Sequence, residues 1–263
     1  MGYSVELKNI TFKPPRTKQK GVLNNISFKV NESEFVTLIG RNGHGKTSII
    51  KAISGELEQS YVQGSVIVGN NEINELIHKR AHGVGIVHQY VQDDLIQSLS
   101  ISKNIQIRQL FSNDRSTRKE AAPNKDWEGK INAKLSQFLT TKDFSPTIDT
   151  IVDKLSGGQI QLLNVLIAAE FEHSSKNGCQ LLLLDEHLTS LDVIVKAKVM
   201  ELIKKITDSN GCNTTIIMVT HDLEYALEYS HKILVIYEGT VKTSIQKSDT
   251  ERWNKIFLKE QLI

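Results

Sequence analysis

The sequence predicts an α/β fold with a mostly parallel core sheet, and three stretches predict it. FVTLI (35–39), LLLLD (181–185) and TTIIMV (214–219) are short apolar runs bounded by polar residues or glycine. Such runs suit strands buried inside a parallel sheet, and open sheets of this kind hold their ligands at the chain ends of the strands. The run at 181–184 ends in adjacent carboxylates, Asp185 and Glu186, with Asp192 a few residues on. Ionised carboxylates beside a core are costly unless paired or bound to a metal, so a cation is expected close by. The plain alternative is that both acids merely open the loop after a strand.

The first run continues as SEFVTLIGRNGHGKTSIIKAISG (33–55). Phe35 to Ile39 read as a strand, Gly40 to Lys46 as a glycine-rich loop, and Thr47 onward as a helix. Gly40, Gly45, Lys46 and Thr47 match the phosphate-loop pattern in the strand–loop–helix context that supports it, so the chain is expected to be a P-loop NTPase. Arg41, Asn42, Gly43 and His44 fill the loop, and Ser48 follows it. Glycines let successive backbone N–H groups close around the β- and γ-phosphates, and the helix N-terminus adds partial positive charge. Lys46 supplies a point charge to the same oxygens. Thr47 is placed to ligate Mg2+, with Asp185 on the other side of the ion. Gly83 and Gly85 in AHGVGIVHQ lack a following helix and lysine, and read as a turn before a buried strand.

Composition narrows the class. The 263 residues fit one large domain or a domain with a subdomain, and 39% apolar with 24% charged residues is ordinary for a globular protein. The formal net charge of +2 gives no electrostatic footprint for nucleic acid or an anionic membrane. No aliphatic run approaches the ~20 residues a spanning helix needs, and MGYSVELKNI has no signal-peptide core, so a cytoplasmic location is expected. Cys179 and Cys212 lack metal-type spacing and are expected to be thiols in a reducing compartment.

The phosphate loop alone leaves kinases, GTPases, helicases and transport motors open. DKLSGGQIQLL narrows the choice: Leu155-Ser156-Gly157-Gly158-Gln159 opens a long helix through Ala169 in the manner of a second anion site, although Ser156 as a plain N-cap is the simpler reading.

Taken in order, these motifs resemble the ATP-binding cassette ATPases over nearly the whole chain. Gly40 to Thr47 matches the Walker A loop, Gln89 in GIVHQ the Q-loop and Leu155 to Gln159 the family signature. Leu181 to Glu186 matches Walker B, Ser190-Leu191-Asp192 the D-loop, and His221 in MVTHD the switch histidine. The resemblance implies ATP and Mg2+ as ligands. It implies a catalytic set of Lys46, Gln89, Glu186 and His221, with Glu186 as general base or water-orienting group and Gln89 sensing Mg2+. It further implies a head-to-tail homodimer in which Ser156, Gly157, Gly158, Gln159 and Asp192 act on nucleotide held by the other copy.

By the same resemblance, an antiparallel β subdomain opens the chain at LKNITF…VLNNISFKV. A helical signature subdomain spans 90–165, inside a core formed by 1–89 and 166–263, with SNDRSTRKEAAPNKD as its loosest loop. The aromatic that usually stacks on adenine falls near Pro14, with Phe12 or Arg16 as substitutes, and His187 stands where most members have proline. The closing SDTERWNKIFLKEQLI reads as a short amphipathic helix with Trp253 and Phe257 used in packing.

Among these ATPases, DEHLTSLD with MVTHDLEYALEYSHKILVIYEGTV looks most like bacterial importer subunits assigned to amino-acid-type substrates, including tryptophan/tyrosine systems. Integral-membrane permease subunits and an extracytoplasmic substrate-binding protein are the implied partners, and the inner face of the cell membrane the implied place. The competing readings are a non-transport cassette protein acting on ribosomes or DNA, and a nucleotide-dependent regulator with little hydrolysis.

Overall fold

The computed structural model describes residues 2–15, 21–73, 83–111, 125–171, 179–188, 191–209 and 214–262. Strand β1 (Val5–Phe12) pairs antiparallel with β2 (Leu23–Val30) and with β4 (Val62–Val68), and the short β5 (Asn71–Glu72) extends this sheet to the order β2-β1-β4-β5. The antiparallel opening expected from the sequence is therefore present. A second sheet has the order β10-β9-β3-β8-β7-β6. In it β3 (Phe35–Ile39), β6 (Val84–Val87), β7 (Leu181–Asp185), β8 (Thr215–Val219) and β9 (Lys232–Tyr237) run parallel. Strand β10 (Thr240–Gln246) closes one edge antiparallel.

The continuous apolar runs follow from covering both faces of this sheet. Leu181 and Leu183 point into a core shared with the antiparallel sheet and with α1 (Lys46–Ser54), whose Ile49, Ile50 and Ile53 are buried there. Leu182 and Leu184 point the other way. They join a core with α2 (Ile101–Phe111), α3 (Lys125–Leu139), α4 (Gly157–Leu166) and α5 (Val193–Ser209). All four leucines are fully buried, worth about 2 kcal/mol each, which fixes where the strand delivers Asp185. Helices α6 (Leu223–Tyr229) and α7 (Lys255–Gln261) form a third core over β9 and β10. Trp253 and Phe257 pack there, and the Trp253 indole donates to Leu227 O at 3.0 Å, the packing role expected of them.

Local signals set the ends of these helices. Gly55 closes α1 in a left-handed conformation (φ 78°), and Asp222 and Asn254 cap α6 and α7 by accepting from backbone N–H groups. Helix α4 continues as a π-helical stretch over Ile167–Phe171, so the helical run goes past Ala169. Gly83 turns (φ 76°) before β6, where a Cβ on Gly85 would stand 2.2 Å from Ala168 O. Gly83 serves the turn the sequence suggests, whereas Gly85 lies inside β6 and is fitted to close packing. None of the described helices is long and apolar enough to cross a membrane. Arg16, Ser190 and Cys212, with most of the SNDRSTRKEAAPNKD loop, lie outside the described residues.

Candidate active site

The loop between β3 and α1 has the conformation its glycines permit. Gly43 and Gly45 are left-handed (φ 79° and 96°), and a Cβ on Gly40 would lie 2.3 Å from Ile236 O. Lys46 is buried and curls over its own loop, donating to Gly40 O at 2.9 Å and Arg41 O at 3.1 Å. Its ammonium also stands 3.5 Å from Glu186 Oε1. Burial lowers the Lys46 pKa, a pull that the neighbouring Glu186 and Asp185 only partly oppose. A cavity of about 290 Å³ opens in front of the loop, lined by Asn42, Gly43 and Gly45 to Ser48, with Val22, Gln89 and Glu186 opposite.

The carboxylates at the end of β7 close the far side of this cradle. Thr47 Oγ1 donates to Asp185 Oδ1 at 3.2 Å, and burial raises the Asp185 pKa, with the adjacent Glu186 adding to the rise. A hydroxyl and a buried carboxylate at this separation are hard oxygen donors, and a divalent cation would offset the desolvation that Lys46 and His88 only partly oppose, so these residues fit Mg2+.

Glu186 leaves the strand with a left-handed φ of 44°, unusual for a residue with a side chain, while its N–H donates to Val219 O at 3.1 Å. That turn aims its carboxylate back at the cradle. Its Oε1 lies 2.8 Å from His221 Nε2, just beyond β8, and its Oε2 accepts from Gln89 Nε2 at 3.3 Å, just beyond β6. Lysine, threonine, two acids, glutamine and histidine from widely separated motifs thus meet at one sheet edge.

Other expected site residues stand elsewhere. The Arg41 side chain turns away to donate from Nε to Leu262 O at 2.6 Å, and His44 packs edge-on against Tyr237 with ring centroids 5.0 Å apart. Ser156 caps α4 in a reciprocal box: its Oγ accepts from Gln159 N at 3.3 Å while Gln159 Oε1 accepts from Ser156 N at 2.9 Å. Gln159 Nε2 also donates to Leu139 O at 2.8 Å. The plain N-cap reading of Ser156 therefore holds within this chain, and none of Ser156, Gly157, Gly158 and Gln159 lines the cavity. A Cβ on Gly158 would come within 2.7 Å of Val195 Cγ1, so glycine is required there by the start of α5. Asp192 Oδ1 accepts from Val195 N at 2.9 Å and so caps α5.

Two features were not foreseen: the place of Val22 and the burial of His187. Val22 lines the cavity, whereas Phe12 packs against the core of the antiparallel sheet. His187 is buried, neither ring nitrogen has a hydrogen-bond partner among the described residues, and burial pushes its pKa down to about 3.

A phosphate-binding loop, a hydroxyl–carboxylate pair fit for Mg2+ and a second carboxylate held by a histidine and a glutamine define a nucleoside triphosphate hydrolase of the phosphate-loop class. Residues 23–189 match the family described as ABC transporter. The chain is 30% identical over 252 residues to a tyrosine transport ATP-binding protein of Clostridioides difficile, covering 94% of both chains. It is 31% identical over 221 residues to a spermidine/putrescine import ATP-binding protein of Legionella pneumophila, covering 84% of this chain and 54% of that one. Its fold superimposes with a TM-score of 0.68 and 23% identity on a dimeric ATP-binding cassette bound to ADP and Pi, covering 92% of this chain and 98% of that one. The chain belongs to the ABC transporter family and is an ATP-binding cassette ATPase.

Proposed function

We propose that this chain is the ATP-hydrolysing subunit of an importer, driving a separate membrane permease through ATP-dependent pairing of two copies. One observation carries the reading: Lys46, Thr47, Gln89 and Glu186 line one cavity, Asp185 and His221 bond to Thr47 and Glu186 at its wall, and Ser156 to Gln159 open a helix outside it. A second anion-facing helix start that takes no part in its own chain's cradle suits a cradle in another copy. The dimeric form of the cassette similar in fold agrees with this.

In the reaction, the loop amides and Lys46 bind the β- and γ-phosphates of ATP, competing with Glu186 for the lysine ammonium. Thr47 and Asp185 would hold Mg2+, which would neutralise charge on the phosphate oxygens. Glu186, relieved of Lys46, orients the attacking water and takes its proton. His221 fixes the Glu186 carboxylate on one oxygen and Gln89 on the other. Ser156 and Gly158 of the second copy cover the γ-phosphate, and Asp192 caps the helix that follows the D-loop.

The transported class is taken to be amino acids, on the strength of the tyrosine-transport relative and its full-length match. The permease would hold the ATPase at the inner membrane face, with an extracytoplasmic binding protein delivering substrate. Within the chain, 90–165 is taken as the helical signature subdomain and 1–89 with 166–263 as the core.

The test is ATP hydrolysis by the purified chain with Mg2+, beside Glu186→Gln, with light scattering to follow association. Lost turnover and a gained ATP-dependent dimer in the variant are expected. Unchanged turnover in Glu186→Gln would remove that residue from the role of base, and absent turnover in the wild type would favour a nucleotide-dependent regulator.

A further inference from the structure

Behind the cavity, a second polar cluster is centred on Asp94, whose side chain is 1% exposed. Its Oδ2 accepts from His88 N at 2.7 Å and from Asn164 Nδ2 at 2.8 Å. Its Oδ1 lies 2.7 Å from His88 Nδ1 and accepts from Arg108 Nη1 at 3.0 Å. Arg108 Nη2 donates to Ile86 O in β6 at 2.9 Å, and His88 Nε2 lies 3.1 Å from Glu56 Oε2, just past the end of α1. Burial raises the Asp94 pKa, but His88, Arg108 and Asn164 more than offset this and hold it below its ordinary value.

The cluster joins parts that the hydrolysis reaction has to coordinate. His88 directly precedes Gln89, whose amide holds Glu186, and Asp94 grips both the backbone and the ring of His88. Asn164 lies two turns into α4, the helix that Ser156 begins. Stability alone does not account for Asn164: it is fully buried, and its Oδ1 has no hydrogen-bond partner among the described residues. A buried amide with one unpaired end costs free energy relative to an apolar side chain of its size. What that cost secures is the single bond from α4 to Asp94.

We propose that Asp94 is a positioning residue that ties Gln89 to the signature helix, so that the placement of Glu186 in one site depends on the seating of α4 against the other. The proposal rests on the reading of Ser156 to Gly158 as the element that covers ATP on a second copy. In a closed dimer, pressure on the start of α4 passes along a rigid helix to Asn164, to Asp94, and through the His88 peptide to Gln89. An unpaired cassette would hold Gln89 less firmly.

The test is Asn164→Leu, which keeps the branch at Cγ in a somewhat larger side chain and leaves His88 and Arg108 on Asp94, measured beside Asp94→Ala and the double variant. Asn164→Leu should stay folded with a melting temperature close to that of the wild type, the removed unpaired amide end offsetting the added volume. Its affinity for ATP as a monomer should stay within about twofold, while kcat falls about tenfold, a split that lost stability alone does not produce. The double variant should be no slower than Asp94→Ala, because both changes cut the same link. In a Glu186→Gln background, Asn164→Leu should raise the ATP concentration needed for dimerisation. Unchanged kcat in Asn164→Leu beside an active wild type, or effects that multiply in the double variant, would overturn the coupling alone. A wild type without turnover and without an ATP-dependent dimer would overturn the coupling together with the proposed function.

Discussion

The cradle and the start of α4 are both glycine-rich helix N-termini, yet they differ in what their side chains touch. In the cradle, every functional side chain is engaged with another across the cavity: Lys46 and His221 with Glu186, Thr47 with Asp185, Gln89 with Glu186. At α4, the Ser156 and Gln159 side chains are engaged, among the described residues, with each other and with Leu139. The first is a reaction centre assembled by strand ends. The second is a self-capped helix end that takes no part in its own chain's cradle, and this contrast is what the proposed division of catalysis between two copies rests on.

Variants on the two sides should therefore fail differently. The largest effect is expected at Glu186→Gln, where loss of the base should lower kcat about a thousandfold and leave ATP binding intact. Lys46→Ala comes next, weakening ATP binding about a hundredfold by removing a charge-assisted bond to phosphate, read by titration with a fluorescent nucleotide.

A smaller effect comes from His187, directly after Glu186. Its pKa is about 3 in the fold, below the ordinary 6.5, so the unfolded chain binds the extra proton between those values. Stability is then full above pH 6.5 and is lost as pH falls. Between pH 7 and 5 the wild type should lose about 2 kcal/mol more than His187→Phe, measured by urea unfolding. The smallest effect is Ser156→Ala. It should cost about 1 kcal/mol of stability through the lost cap and lower turnover while sparing ATP binding by the monomer. A fall in monomer ATP affinity in Ser156→Ala would blur the division between the two regions.

Much of the cradle was legible because its residues follow fixed local rules. A buried strand, a glycine loop and a helix N-terminus place Lys46 and Thr47 without reference to the rest of the chain. Likewise Asp185 and His221 follow apolar runs that have to be central strands. Four of the five parallel strands, β3, β6, β7 and β8, are readable for the same reason, since both of their faces are covered, whereas β9 is not read from the sequence. The Asp94 cluster was not legible, because Asn164 and Asp94 are 70 residues apart and neither belongs to a motif. His187 stood out in the sequence only as a replacement for the usual proline, and its burial is set by packing rather than by any local pattern. The turn of Glu186 into a left-handed conformation is likewise set by the neighbouring β8, through Val219, rather than by local preference.

The most direct test of the division mixes two inactive variants, Lys46→Ala and Gly158→Val, the second of which drives a side chain into Val195. In a mixed dimer, one site would combine the intact cradle of the Gly158→Val chain with the intact signature of the Lys46→Ala chain. Shared sites predict ATP turnover in the mixture well above the sum of the separate variants. Turnover no higher than that sum would mean that the signature serves its own chain, and would contradict the two-copy account.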